Sequence, residues 1–546
     1  MYLSITYILA LSALLTLWRL VQLILSVRNR NRLARQHGCE NPAPLPQKDK
    51  IFGIDVLLDE YRNFRNNTYL AMLVDRFNSC GDTWSCRTMG RTNFATINIE
   101  NIKTILVTQS RFYKLGQTRS SVLGRTFGHG IFTSEGNEWR FLRRMTRPGF
   151  SASHVHLEPH VQSLLEQVPE NGEACDLQPL FHNLTLHNAA GIFWGDNAVR
   201  RLDEGEGEGK GLATRINEAI CKAFAHTQDI MVLGPLANLL QSSKTKSAID
   251  LVYGFVLENS QAVFRQKSSP PATTGSHVPE KGESKAGSGV TGLFYDLFGA
   301  HDFDTIHTQL RQMFMAAEGT TAETLTHLFH LLSRHPRVLD TLRAEISLNL
   351  PPSDLPTSSD LTAKNTPYLN ACIKEVLRLF PTVPFNNRIA LQDTVLPRGG
   401  GADGLSPIVV PAGAEISLPH YPLYRRKDIF GDDADEFVPE RWLQMKDQDQ
   451  NEAAWTQQCE SYLPFSIGKR ACPGQPIALE TVRYVAARLV QEFSQIRDAS
   501  GNRPWRENCG ATLQSKFGAV VAMERRMKSE GDLDSGYMSE ISSGSL

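Results

Sequence analysis

Nine cysteines are scattered along the 546 residues, and one of them, Cys472, has neighbours that suggest ligand chemistry. The run Phe465-Ser-Ile-Gly-Lys-Arg-Ala-Cys-Pro-Gly474 sets an aromatic ring, two glycines and an arginine at short offsets from a thiol. A thiolate is a soft, charged metal ligand, and peptide N–H groups turned toward the sulfur tune the electron density it donates. Gly468 permits the tight turn such a loop needs, and Gly474 permits close packing where the loop enters a helix near Pro476. The cysteines at 39, 80, 86, 175, 221, 372, 459 and 509 make no CxxC pair and no zinc-type spacing. An odd, scattered count is not a disulfide framework, so these eight read as small buried hydrophobes.

The run matches FxxGxRxCxG at every fixed position and resembles the heme loop of the cytochrome P450 family. The resemblance implies a mainly α protein with small β-sheets, the cytochrome P450 fold, holding heme b (iron protoporphyrin IX). Cys472 would be the thiolate on the iron, Phe465 would pack on the porphyrin side and Arg470 would reach a propionate. Three further motifs fall in the family's order. Glu375-Val-Leu-Arg378 matches ExxR, and residues at i and i+3 share a helix face. Phe437-Val-Pro-Glu-Arg-Trp442 resembles the PERF-type segment, which implies a buried structural triad of Glu375, Arg378 and Arg441. Trp139 and Arg143 match WxxxR on one helix face, and Arg388 follows Pro384; by resemblance all three are partners of the heme propionates.

The segment Met315-Ala-Ala-Glu-Gly-Thr-Thr321 resembles the family's oxygen-activation helix, with Thr320 on the threonine that guides protons. Two positions depart from the pattern. Ala317 stands where glycine is usual, and Gly319 stands where an acid is usual, with Glu318 one residue early. One residue turns a helix by about 100°, so Glu318 replaces the missing acid only if the helix is distorted. Gly319 is a residue that loosens helices. Three readings stand: an altered catalytic relay through Glu318 and water, a tolerated substitution with Thr320 still working, or impaired oxygen activation with turnover by peroxide or rearrangement.

The stretch Phe385–Gly401, with its Leu-Pro-Arg-Gly-Gly-Gly run, resembles the fungal alkane and fatty-acid ω-hydroxylase branch, as do Tyr424–Gly431 and Asp176–Phe181. This implies a hydrophobic small-molecule substrate: a fatty acid, an alkane or the alkyl chain of a specialised metabolite. Val122–Leu123, Phe314, Ala317 and Val383–Phe385 are the candidate substrate-facing residues. No flavin or nicotinamide segment is visible, so electrons would come from NADPH-cytochrome P450 reductase, docking near Lys469, Arg483 and Arg488. The alternatives are peroxide-driven or multi-step oxidation of a polyketide or terpenoid intermediate, and a non-catalytic heme-binding protein.

The elements that must position these residues are mostly helical. Apolar spacing predicts helices over 69–78, 138–144, 305–332, 336–348, 366–379 and 479–493. Short strands are expected at 94–99, 408–410, 415–418 and 519–522. Residues 1–27 form an apolar run long enough to span a bilayer. No basic residue precedes that run, whereas Arg28, Arg30, Arg32 and Arg35 follow it. This favours a retained single-pass anchor in the endoplasmic reticulum, with the catalytic domain cytosolic, over a cleaved signal peptide. Residues 28–50 read as a basic, proline-rich linker and 51–526 as the heme domain. Flexible insertions are expected at 204–211 and 268–289, and a disordered tail at 527–546. The 57 Lys+Arg against 58 Asp+Glu give no support to nucleic-acid binding.

Overall fold

The computed structural model describes residues 2–116, 124–150, 157–204, 210–233, 242–268, 297, 301–350, 355–443 and 452–526. Val122–Leu123, 205–209, 269–289 and 527–546 therefore lie outside the described residues. Among those described, the helices of eleven or more residues are α1 (Tyr2–His37), α2 (Ile54–Asn66), α3 (Tyr69–Cys80), α4 (Gly136–Thr146), α5 (Leu177–Trp194), α6 (Leu212–Leu233), α7 (Ser243–Ser268), α8 (Phe303–Leu332), α9 (Pro336–Asn349), α10 (Pro367–Leu379) and α11 (Gln475–Glu492). Asp302 opens α8 as its N-cap, accepting the Thr305 N–H at 2.8 Å.

Helix α8 runs through two apolar cores in turn. Ile306–Met315 pack with α5, α6 and α7, against Phe193, Trp194, Ile216 and Val252. Ala322–Leu332 pack with the start of α5 and with α9, α10 and α11, against Phe181, Leu339, Val376 and Val485. The changeover falls at Ala316–Thr321, the segment that resembles the oxygen-activation motif.

A third core lies against a six-stranded sheet. Its strands run Ala43–Pro44, Thr83–Thr88, Arg91–Thr96, Glu415–Pro419, Phe385–Ala390 and Tyr113–Lys114. Phe385–Ala390 pairs antiparallel with Glu415–Pro419, placing Arg388 opposite Ile416. Beside this sheet, Thr394–Gly400 and Ser406–Val410 form a two-stranded ribbon.

One expectation about the N-terminus is corrected. Helix α1 does not stop at residue 27: it continues to His37, so the arginines assigned to a linker lie on its last turns. Arginine is a good helix former, and nothing breaks the chain before Gly38, which takes φ +61°. The proline-rich stretch is extended and docked: Ala43 pairs with Trp84, and Leu45 N–H donates to Ser85 O at 2.7 Å. The glycine run holds it there. A Cβ on Gly399 would sit 2.5 Å from Thr83 Cβ, and one on Gly400 would sit 2.8 Å from Glu40 O. Only glycine lets the ribbon close this far. The strand expected at 94–99 is displaced to Arg91–Thr96, because Asn98 caps a short helix, Ile99–Lys103, through the Glu100 N–H.

Glu507 caps α3 from a distant part of the chain, accepting the Leu70 N–H at 3.0 Å. Burial pushes its carboxyl up to about 7, while the Leu70 and Tyr69 N–H groups oppose that rise. The folded chain therefore holds this proton more tightly than the unfolded chain. The stabilisation is complete below the ordinary value of 4.5 and is lost as pH rises through about 7. The parent should lose on the order of 3 kcal/mol of stability across that window relative to Glu507→Gln. Denaturant melts at several pH values check this; parallel curves for the two proteins would refute it.

Candidate active site

The cysteine loop is built by its glycines. Gly468 takes φ +74°, and a Cβ there would lie 2.3 Å from Leu106 O. Its short helical turn, Gly468–Arg470, delivers Cys472, whose N–H donates to Phe465 O at 2.9 Å. Helix α11 starts three residues later and packs along α8. Burial raises the Cys472 thiol; the Gly474 N–H, the Arg143 charge and the Gln475 N–H pull it back. The side chain nonetheless keeps open surface. A sulfur that is desolvated yet accessible lies on the wall of an interior space.

Cationic groups gather beside it. Arg143 Nη2 donates to Ala471 O at 2.8 Å, next to the cysteine. Arg470 lies over the Trp139 ring at 4.5 Å and donates to Ser134 O and Glu135 Oε2, both at 2.8 Å. Both arginines are lowered by burial, and the Arg470 guanidinium is partly compensated by Glu135. Trp139 and Arg143, one turn apart on α4, thus reach the cysteine loop together. Phe465 packs at the edge of the core shared by α10 and α11. Arg388 is buried on its strand and donates to Asn386 Oδ1 and Asn387 O, each at 2.7 Å. A thiol flanked by guanidinium groups is a donor set that fits a metal porphyrin bearing carboxylates.

On α8, from Gln312 to Leu332, only Ala316, Ala317 and Thr320 keep accessible surface. They share one helix face. Thr320 donates its hydroxyl to Ala316 O at 2.8 Å. The helix stays α-helical through Gly319, so the expected loosening does not occur. Gly319 instead makes room for α6: a Cβ there would meet the Phe224 ring at 3.1 Å. Glu318 is corrected as a catalytic candidate. Two residues turn the helix by about 200°, which aims its carboxylate away from Thr320. Glu318 Oε1 binds His182 Nδ1 on α5.

Glu375, Arg378 and Arg441 meet without solvent. Arg378 donates to both Glu375 oxygens at 2.9 and 2.8 Å, and Arg441 Nε donates to Oε1 at 2.8 Å. Arg378 also holds Tyr424 O at 2.8 Å and Glu436 O at 3.0 Å, and Arg441 holds Phe430 O at 2.6 Å.

A family model described as Cytochrome P450 matches residues 295–516. The chain is 33% identical over 524 residues to the cytochrome P450 monooxygenase himC of Aspergillus japonicus, covering 94% of this chain and 88% of that protein. It is 32% identical over 536 residues to the cytochrome P450 monooxygenase fsdH of Fusarium heterosporum, covering 96% and 89%. It is 32% identical over 490 residues to Cytochrome P450 52A12 of Debaryomyces hansenii, covering 87% and 90%. The chain belongs to the cytochrome P450 family. It is a cytochrome P450 monooxygenase, and its cofactor is heme.

Within this P450, two further expectations fail. Phe314 does not line the accessible face: it is fully buried among Trp194 and Phe255, with ring centroids 5.1 and 5.6 Å away. Arg488 is not a surface docking residue, since it is buried and paired with Glu158 and Glu492, each at 2.9 Å. Arg483 is half-buried and donates to Asn370 Oδ1 at 2.7 Å. Of the three cations proposed for docking, Lys469 is exposed. Four contributors escaped the sequence reading: Glu135, Phe224, His182 and Glu323. Only Glu135 carried a signal, by standing four residues before Trp139.

Gly468→Ala should abolish the P450 carbon monoxide spectrum, because it combines a left-handed residue with a backbone clash. Gly404→Ala takes a similar φ of +70° with nothing within 4 Å, so it should cost only about 1–2 kcal/mol and keep the spectrum. Equal spectra for the two variants would contradict this account.

Proposed function

We propose that this P450 hydroxylates long aliphatic chains, with Cys472 as the thiolate ligand of heme b. The observation that carries the reading is Cys472 itself, desolvated yet accessible, with Arg143 and Arg470 beside it. When bound, the heme supplies dioxygen activation and transfer of one oxygen atom to a C–H bond. The chain's own residues do the rest. Peptide N–H groups at Gly474 and Gln475 face the sulfur and stabilise its charge. Arg143, Arg470 and Arg388 would hold the propionates, and Trp139 supports Arg470 through its ring. Thr320 hands protons inward from the accessible face of α8. Ala317, on that face, lets an unbranched chain approach.

The resemblance of Phe385–Gly401 to the alkane and fatty-acid ω-hydroxylase branch supports a fatty acid, an alkane or an alkyl side chain as substrate. Ala10–His37 is long and apolar enough to cross a membrane, and its side chains are exposed. This supports anchoring in the endoplasmic reticulum with the heme domain on the cytosolic side. NADPH-cytochrome P450 reductase would then deliver electrons from the same side.

Membranes holding the full chain, with reductase and NADPH, should convert dodecanoate or hexadecane to a terminal alcohol. Turnover with hydrogen peroxide and none with reductase would overturn the monooxygenase reading of electron supply. In Cys472→Ala the shifted Soret band of the reduced carbon monoxide complex should vanish; its persistence would reject the ligand assignment. Thr320→Ala should keep that band while product formation falls on the order of a hundred-fold and peroxide release rises. Unchanged coupling would remove Thr320 from the proton path.

A further inference from the structure

Three consecutive residues of α8 face three different surroundings. Thr320 lies on the accessible face, Gly319 backs onto Phe224 of α6, and Glu318 turns to α5. The third contact has a second anchor point. His182 binds Glu318 through Nδ1 and Glu323 Oε1 through Nε2, the latter at 2.9 Å. All three side chains are buried. Glu323 is held in turn by Gln178 Nε2 at 2.8 Å and by the Ser515 N–H at 3.2 Å. Among the described residues Glu318 Oε2 accepts no hydrogen bond, so there the grip on this carboxylate comes from the imidazole.

Glu318 and Glu323 are about 7.5 Å apart along the helix axis, with Thr320 between them. A single contact lets a helix roll about its axis or slide along it. Two contacts from one rigid ring oppose both motions. The need is local. Ala316, Ala317 and Thr320 keep accessible surface, so packing between the two cores is one-sided: Ala317 touches the first core and Phe224 backs Gly319. One-sided packing leaves the roll of the helix at that point to be set in part by polar contacts.

We propose that His182 is a positioning residue: by gripping Glu318 and Glu323 from α5, it fixes the roll of α8 and thereby the direction in which Thr320 is presented. The inference rests on the reading of Thr320 as the proton-guiding hydroxyl. The acid missing at 319 is therefore not replaced by Glu318 as a relay. The nearby carboxylate is used to hold the helix.

The test uses the full chain in membranes with reductase, NADPH and dodecanoate, comparing His182→Asn, Thr320→Ala and the double variant. His182→Asn should keep the carbon monoxide spectrum and leave KM within about two-fold while kcat falls and the share of NADPH diverted to peroxide rises several-fold. Amide hydrogen exchange across 318–323 should quicken, a change that does not depend on turnover. The double variant should be no more uncoupled than Thr320→Ala alone, since both changes act on one hydroxyl. Normal coupling in His182→Asn beside an uncoupled Thr320→Ala would overturn the clamp and leave the Thr320 reading intact. Additive uncoupling would overturn it as well. A fully coupled Thr320→Ala would overturn the Thr320 reading first, and the inference with it. If His182→Asn fails to accumulate, Glu318→Gln, which keeps size but loses charge, carries the same comparison.

Discussion

A carboxylate sealed from water must be neutralised by its neighbours, and Glu375 meets that constraint with two guanidinium groups, an indole N–H and a backbone N–H. Breaking such a group on one side leaves an uncompensated buried charge, at a cost of about 3–5 kcal/mol. The arrangement is therefore all or none. Arg378 and Arg441 direct their remaining donors to carbonyls between Tyr424 and Glu436 and to the Asp433 carboxylate, which fixes that stretch of chain. From there the order reaches the cysteine loop, because the Tyr424 hydroxyl accepts the Leu463 N–H at 2.8 Å. A continuous run of hydrogen bonds thus leads from the charge cluster to the start of the cysteine loop.

The central helix solves a different problem. An active site needs a face that apolar packing leaves open, yet helices are held in place chiefly by such packing. From Gln312 to Leu332, helix α8 is buried on nearly its whole circumference and gives up packing only along Ala316, Ala317 and Thr320. Small side chains there keep the opening wide. Gly319 seats the Phe224 ring on a neighbouring face and brings α6 close.

What the sequence made legible follows from distance along the chain. Cys472, Gly468, Arg470 and Phe465 lie within one loop, so their offsets carry the assignment. Trp139 with Arg143, and Glu375 with Arg378, are helical neighbours whose shared face needs no tertiary knowledge. The rotation argument made a role for Glu318 in place of the residue after it depend on a distorted helix, and the helix is regular there. Its partner was invisible, since His182 is 136 residues away and a histidine on a hydrophobic helix gives no sign of what it meets. Glu507 escaped for the same reason, with 437 residues between it and the N–H it receives. Phe314 was misread because an aromatic residue near a reactive segment looks the same whether it faces the site or the core. The end of α1 was misplaced because apolarity marks where a helix can enter lipid, not where the helix stops.

The junction at Gly38 has a mechanical meaning. Only two residues separate the last turn of α1 from the first bond to the body, the Glu40 N–H to Pro407 O at 2.9 Å. Gly401 N–H and the Ser406 hydroxyl hold Asn41 O and the Glu40 carboxylate on the same ribbon. The tether has no slack. A chain hung on a loose leash tumbles independently of its anchor, whereas this one works as a lever with a stiff arm. With the arm set in a lipid sheet, as proposed, its lean would become lean of the body, so bilayer thickness would be read out as the angle at which the body meets the surface.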